Sequence, residues 1–356
     1  MRFKIFPILL LFISVIVVGC HGNALYHPQK LIQYSSEDVV CRTISSSEIP
    51  ICCYSARHLD ISDSLLVIST TDSQGFLKVY NVNTNSIVAD LCQNGRANNE
   101  FVLAQSLGHF THDEDGDILL DVCDVNRIKR INLTQSIIRN VAVLEESFPY
   151  EGCRHQTPFF GDSSLIFAKN RVSYTDMRDL DFVQPSYVCG VDTITPYHRV
   201  FNNLSVPDIT DLIYDGVLGV KPDCSAAIEA LSYTDCINLI DLKSGKIKGV
   251  VGEGAVTLDQ IEKMSQSEME QLVWCYVDLQ TFDDCFILLW NGGQLTGNGG
   301  NNEIRVFDWN GVLLERVALD IDAVSFAYDR TSDTLYLLDQ NETLYSSGLT
   351  IGSIVE

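Results

Sequence analysis

One phrase recurs along this chain and decides what it can fold into: an aspartate-led turn followed at once by a short aliphatic strand. It stands at Asp63-Ser-Leu-Leu-Val-Ile, Asp115-Gly-Asp-Ile-Leu-Leu, Asp162-Ser-Ser-Leu-Ile-Phe, Asp215-Gly-Val-Leu-Gly-Val, Asp284-Cys-Phe-Ile-Leu-Leu and Asp333-Thr-Leu-Tyr-Leu-Leu, with 46 to 69 residues between copies. Asp and Gly favour the turn, and the aliphatic run suits a strand buried on both faces. Several copies continue alike. Phe76-Leu-Lys-Val-Tyr-Asn leads to Ser86-Ile-Val-Ala-Asp-Leu, and Arg127-Ile-Lys-Arg-Ile-Asn to Ser136-Ile-Ile-Arg-Asn-Val. Cys236-Ile-Asn-Leu-Ile-Asp leads to Lys246-Ile-Lys-Gly-Val-Val, and Glu303-Ile-Arg-Val-Phe-Asp to Val312-Leu-Leu-Glu-Arg-Val. The linkers Asn83-Thr-Asn, Lys243-Ser-Gly and Trp309-Asn-Gly read as hairpin turns.

A four-stranded unit repeated every 40–50 residues or so is a β-propeller blade, and blades stack in a ring because one alone cannot bury both faces. The sequence therefore predicts an all-β, six-bladed propeller of four-stranded antiparallel blades over residues 29–356. The last copy runs short after Tyr345, so a strand within residues 30–43 is expected to complete it and close the ring. Two β-sandwiches are the rival, disfavoured by the regular spacing and the lack of a Gly-, Pro- or Ser-rich linker. Residues 257–272 (TLDQIEKMSQSEMEQL) break the pattern. Leu258, Ile261, Met264 and Leu272 fall near helical spacing, Thr257 and Gln260 suit a capping box, and a helical insertion on one ring face is expected.

The N-terminus carries an address. Arg2 and Lys4 precede an apolar run from Ile5 to Val18, and Val17-Val18-Gly19-Cys20 follows. A charged start, a short hydrophobic core and a small residue before cysteine read as a lipoprotein signal over 1–19, with Cys20 the lipidated residue and 20–28 a tether. The run is short for a membrane span. Residues 21–30 lack an acidic export run, which favours an outer-membrane anchor facing the periplasm over one at the cell surface.

The net charge of −23, more negative once Arg2 and Lys4 are removed, argues against nucleic acid and against a surface that lies on anionic lipid. The lipid anchor is then the only expected membrane contact. None of the twelve cysteines forms a C-x-x-C pair, which counts against a zinc ribbon or a dithiol redox site. Most lie in strand-like apolar runs and are expected to be free and buried. One or two disulfides, with Cys52-Cys53 joined to Cys41 or Cys92, are the alternative.

A second motif follows the first complete blade: Gly95-Arg96-Ala97-Asn98-Asn99-Glu100-Phe101, echoed by Gly252-Glu253-Gly254. Gly and Asn permit positive φ at a tight crossing. Arg96 and Glu100 are placed to pair, and Phe101 to plug the space between sheets. With the signal, this motif resembles that of the TolB-like six-bladed β-propeller lipoproteins of Bacteroidales, where Gly-Arg-Gly-Pro-x-Glu-Phe is common. Gly95, Arg96, Glu100 and Phe101 match, while Ala97 and Asn98 replace Gly and Pro. The resemblance implies a lipid-anchored propeller with a binding role, and it brings no catalytic residues.

No G-x-S-x-G elbow, H-E-x-x-H pair or phosphate-binding glycine loop is present. His109 and His112 stand beside Asp113, Glu114 and Asp115, but the spacing is not a calcium loop and no metal or cofactor is expected. Arg154 and His155 fall where the third inner strand should begin. Asn170 and Arg171 follow the next strand, and Trp290 and Asn291 end a strand before a Gly-rich loop. With Arg96 and Glu100 these are the candidate ligand residues, because function favours loops over a rigid scaffold; for Trp290, packing between blades is the plainer reading. The expectation is a non-enzymatic binding or scaffolding protein of the cell envelope that contacts a protein or glycan through one ring face. The alternative is a lactonase-like hydrolase or lyase with its site at the channel.

Overall fold

The computed structural model describes residues 30–125, 127–149, 159–160, 165–170, 186–189, 192–194, 215–256, 260, 263–294 and 300–352. The signal, Cys20 and the tether lie outside them, as do Arg154, His155 and Arg171. No helix among the described residues is long and apolar enough to cross a membrane.

The described chain opens with three short strands, β1 (Lys30–Tyr34), β2 (Cys41–Thr43) and β3 (Ser47–Ile49). The repeats follow. The first blade is β4 (Ala56–Ser62), β5 (Leu65–Thr70), β6 (Leu77–Asn81) and β7 (Ser86–Leu91). The second is β8 (Ala104–His112), β9 (Ile118–Asp124), β10 (Arg127–Asn132) and, after helix α1 (Leu133–Arg139), β11 (Leu144–Pro149). A small sheet holds β12 (Phe159–Phe160), β13 (Leu165–Asn170), β14 (Ser186–Cys189) and β15 (Asp192–Ile194). Next come β16 (Gly216–Val220), β17 (Ala226–Leu231), β18 (Cys236–Asp241) and β19 (Ile247–Gly252). Helix α2 (Gln266–Met269) precedes β20 (Tyr276–Thr281), β21 (Cys285–Trp290), β22 (Glu303–Asp308) and β23 (Leu313–Ala318). The last blade is β24 (Ala323–Asp329), β25 (Thr334–Asp339) and β26 (Leu344–Gly348), with β3 as its fourth strand.

The fold is thus an all-β propeller of four-stranded antiparallel blades. Five packed blades are described, and the expectation of six is corrected to that number. Of the third repeat the described residues comprise a small four-stranded sheet, whose first and last strands have two and three residues. Among the described residues, four apolar clusters lie between packed blades. Val67, Leu77, Phe101, Leu120 and Val122 join the first two blades, and Leu66, Tyr80, Ala327 and Leu338 join the last to the first. The second strands β5, β21 and β25 are buried almost throughout, as their aliphatic runs require.

Ring closure differs from the expected form. The closing strand is β3, antiparallel to β26 (Leu344↔Ile49), not a strand of residues 30–43. Those residues cross the rim instead: β1 adds in parallel outside β19 (Ile32↔Val250), and β2 in parallel outside β23 (Arg42↔Val317). Each covers an edge that would otherwise present unpaired backbone. Tyr34 pins this strap. Its hydroxyl donates to Asp235 Oδ1 (2.6 Å), and Arg316 Nη1 donates to the Ser36 carbonyl (2.6 Å).

Two local expectations change. The copy beginning at Asp215 is an inner strand, β16; the true second strand of that blade, β17, follows Asp223, and this shift inflates the longest gap. Ser136-Ile-Ile-Arg-Asn-Val is not a strand but part of α1. Asn132 Oδ1 accepts from Gln135 N (2.8 Å) at the helix start, and Asn140 ends it in the left-handed region at φ 50°. Asn132→Ala should cost about 1 kcal/mol, read as a lower melting temperature; an unchanged melt would refute the capping role. Within the insertion Gln260 is helical and α2 follows, with Ser265 N donating to Glu268 Oε2 (2.7 Å), the carboxylate half of a capping box. Thr257 lies outside the described residues. Met269 and Leu272 seat the insertion against Tyr233.

Candidate functional site

The inner strands of the blades surround a central cavity of about 630 Å³. Among the described residues no sheet pairing joins the inner strand of one blade to that of the next, and side chains bridge them. Asp278 Oδ2 accepts from Phe326 N (2.9 Å), and Gln280 Oε1 accepts from Tyr328 N (2.7 Å). Thr281 Oγ1 donates to the Val220 carbonyl (2.7 Å), Leu59 N to Ser325 Oγ (3.0 Å) and Ser106 N to Ser69 Oγ (3.1 Å). These polar residues alternate with apolar ones along β20 (YVDLQT) and β24 (AVSFAYD), and that alternation is the signal that sequence reasoning passed over.

At the wall, His58 on β4 lies between two carboxylates. Nε2 is 3.3 Å from Asp60 Oδ1 and Nδ1 is 3.6 Å from Asp278 Oδ1. Burial alone would lower its pKa, but Asp60 and Asp278 outweigh it and push the imidazole up to about 10. Burial pushes the Asp278 carboxyl above its usual range, against the pull of His58 and of three hydrogen-bond donors. Ser325 Oγ, 3.2 Å from His58 Nδ1, donates to Asp278 Oδ2 (2.5 Å). Serine, histidine and aspartate therefore meet, yet not as a nucleophilic triad. The serine is buried and its proton is committed to the carboxylate. The histidine is an imidazolium at neutral pH, with no lone pair to accept that proton.

A second histidine is held differently. His109 on β8 bonds through Nδ1 to Asp121 Oδ2 (2.8 Å), and Arg130 clamps the same carboxylate through Nε (2.8 Å) and Nη2 (3.0 Å). Burial would raise the Asp121 carboxyl, but the bonds from His109 and Arg130 hold it below its usual range. The His109 ring lines the cavity and is 27% exposed.

The sequence-derived candidates among the described residues lie elsewhere. Glu100 turns back to accept from Ala97 N (2.8 Å) rather than pairing with Arg96, which is exposed. Gly95 is needed for close approach, not for a positive φ: a Cβ there would strike the Glu100 carboxylate. Phe101 is fully buried between the first two blades, with Lys129 Nζ 4.1 Å from its ring centre, as expected of a plug. Trp290 packs within its own blade. Arg305 stacks on its ring at 3.6 Å and Tyr276 meets it edge-on at 5.4 Å. Asn291 is buried, and its Oδ1 accepts from Gly293 N (3.0 Å). Asn170 ends β13, opposite Ser186. His112 pairs with Asp63 (2.8 Å), and Asp113 Oδ1 accepts from the backbone of Asp115 and Asp117. Cys53, Cys92, Cys236, Cys275 and Cys285 are free, buried thiols, while Cys41 and Cys52 are free and exposed. Burial pushes the Cys236 and Cys285 thiols up to about 12.

The ring face with the blade-to-blade crossings and the turns between second and third strands carries exposed Tyr54, Val102, Leu103, Val125, Val273 and Trp274. Asp124 fixes part of it by accepting from Val102 N (2.8 Å) and Leu103 N (3.2 Å), with Lys129 against its other oxygen.

Fold and site together define a β-propeller with a polar channel. No protein-family model and no curated protein matches the chain in sequence. Among solved structures it is similar to a candidate exported protein from Bacteroides fragilis, with 10% identity, a TM-score of 0.51, and 89% of this chain and 98% of that one covered. At that identity the likeness shows the propeller fold alone. Two further similar structures are Raptor from Chaetomium thermophilum (9% identity, TM-score 0.47, 87% and 30% covered) and hydrazine synthase from Kuenenia stuttgartiensis (13%, 0.43, 82% and 78%).

Proposed function

We propose that this protein is a TolB-like, non-enzymatic binding or scaffolding propeller of the bacterial cell envelope, anchored through lipid on Cys20 to the outer membrane and facing the periplasm. It contacts a protein or glycan through one face of its ring. The observation that carries this reading is the crossing face, where Tyr54, Val102, Leu103, Val125, Val273 and Trp274 stand exposed around a rigid ring. Large apolar side chains gathered on one face favour a partner. The signal at residues 1–19 and the exported character of the Bacteroides fragilis neighbour support the location. The channel-enzyme reading is disfavoured by the protonated His58 and the committed Ser325.

The test is capture from detergent-solubilised envelopes with the full lipoprotein as bait. A partner should be recovered reproducibly, and Val102→Asp with Leu103→Asp should reduce its recovery by about tenfold. Recovery of no partner, or equal recovery by the variant, would overturn the crossing face as the contact.

A further inference from the structure

The N-terminal strap joins the ring at a basic corner. β1 is parallel to β19, so Lys30 lies at the end of that blade where the hairpin turns are, in register with Lys248, and Tyr34 lies at the crossing end, opposite Gly252. Residues in register on neighbouring strands share a face, as do residues two apart on one strand. Lys30, Lys246 and Lys248 therefore project to one side of the outer edge, and Lys243 stands in the turn that joins β18 to β19. Lys30, Lys243 and Lys246 are exposed. Lys248 is half-buried, with Nζ 3.5 Å from the Asn310 carbonyl of the next blade's hairpin. Two carboxylates lie among the lysines, and both are held in their own turns: Asp241 Oδ1 accepts from Ser244 N (2.7 Å) and Asp308 Oδ1 from Asn310 N (2.9 Å). Four lysines against two carboxylates leave this corner net positive on a chain of net charge −23. The first-to-second-strand turn of the same blade pairs Lys221 with Asp223 (3.0 Å). In the other packed blades those turns are acidic, at Asp63, Asp115, Asp284 and Asp333.

We infer that this corner is a second membrane contact beside the anchor: Lys30, Lys243, Lys246 and Lys248 meet the phosphates of anionic phospholipid headgroups. The lipid on Cys20 and the corner are joined by residues 20–29, which reach at most about 35 Å when fully extended. The chain enters the ring at Lys30, so the corner is the part of the ring nearest the anchor. Turning the crossing face to the bilayer would use up about 20 Å of that reach on the length of β19 and would lift the lysines away from lipid. The charge pattern sets the posture as well. The acidic turns hold the other blades off an anionic surface, and the lysines draw this one down, so the ring stands tilted on one corner instead of lying flat. An acyl anchor and a basic patch together hold a protein on a membrane more firmly than one signal alone. The crossing face then points away from the bilayer, with Val102 and Leu103 open to a partner. This inference rests on the lipid anchor of the proposed function.

The experiment is lysine footprinting of the full lipoprotein with a water-soluble acylating reagent, read by peptide mass spectrometry. The protein is reconstituted in vesicles of phosphatidylcholine with phosphatidylglycerol, or of phosphatidylcholine alone. Exposed Lys263, in the insertion on the crossing side, is the reference. Lys30, Lys243 and Lys246 should react about fivefold more slowly on the anionic vesicles than on the neutral ones, and high salt should abolish the difference. Lys263 should react equally on both. In the variant Lys243→Glu, Lys246→Glu, Lys248→Glu, Lys30 should lose its protection. Equal rates on the two vesicles, or protection that Lys263 shares, overturns the corner as the lipid contact, as does protection of Lys30 that survives the charge reversal. The mass of the N-terminal peptide is read in the same digest. If that peptide carries lipid and the lysines are unprotected, the corner falls and the anchor stands; if it carries no lipid, anchor and corner fall together.

Discussion

Replacing His58 with alanine should destabilise the fold by about 3–5 kcal/mol, measured as the shift in urea unfolding free energy. The ring neutralises two carboxylates at the meeting point of three blades: Asp60 on β4 and Asp278 on β20, the latter also holding Ser325 and Phe326 of β24. Both carboxylates lie largely out of water, with side chains 12% and 8% exposed. Deleting the cation leaves them facing each other without compensation. The loss should shrink in the double variant His58→Ala, Asp278→Asn, because one of the stranded charges is then gone. The pH dependence has a fixed sign. The folded-state pKa of about 10 lies above the ordinary value of 6.5. His58 therefore contributes fully below pH 6.5, and its contribution fades as pH rises through 10. The raised Asp278 carboxyl, pushed up by burial, costs stability as it ionises. Wild type should converge on His58→Gln above pH 10, and parallel curves across pH 6–11 would sink the assignment.

The scaffold was legible because its signals are local. An Asp-led turn needs only a few neighbouring residues, and Asp308 shows why: its Oδ1 accepts from Asn310 N (2.9 Å) and Val312 N (2.8 Å), and Gly311 takes φ +87° to close the hairpin. The same logic identified β6–β7, β18–β19 and β22–β23 as outer hairpins. It failed at residues 136–141, where an aliphatic pair inside a short capped helix mimics a strand, and at Asp215, where a turn residue precedes an inner strand instead of a second one. The channel was illegible for a different reason. His58, Asp60, Asp278 and Ser325 are separated by more than 200 residues between the first pair and the second, and each looks like an ordinary polar residue in its own strand. Only closure of the ring makes them a cluster. Trp290 was singled out as an aromatic beside an amide, but the cation that covers its face comes from Arg305 on the next strand.

Arg305→Ala should also lose about 3–5 kcal/mol, and it should loosen the N-terminal strap. The guanidinium is 5% exposed. Its Nη1 donates to Tyr34 Oη (3.1 Å) and faces Asp235 Oδ2 (3.8 Å), Nε donates to Glu303 Oε2 (3.3 Å), and the plane covers Trp290. The surrounding anions hold its pKa above the ordinary arginine value despite burial. Tyr34 and Tyr276 both donate to Asp235, and burial together with that carboxylate raises both phenols. One arginine thus balances a buried carboxylate and anchors β1 through Tyr34. Glu303 retains Arg316 (2.6 Å) when Arg305 is lost, so the stranded charge is Asp235, lodged over Gly252, where a Cβ would strike it. Arg305→Lys should rescue little, since an ammonium neither stacks flat on Trp290 nor donates in two directions from one plane. Limited proteolysis reads the strap directly. Cleavage within residues 35–40, between β1 and β2, should accelerate in Arg305→Ala at temperatures where the blades remain folded. The remaining ties, Arg42 to Glu315 (2.6 Å) and to the Thr350 carbonyl (2.7 Å), should still hold β2 on its edge. Unchanged cleavage together with a stability loss below about 1 kcal/mol would show that the strap is held by its backbone ladder alone.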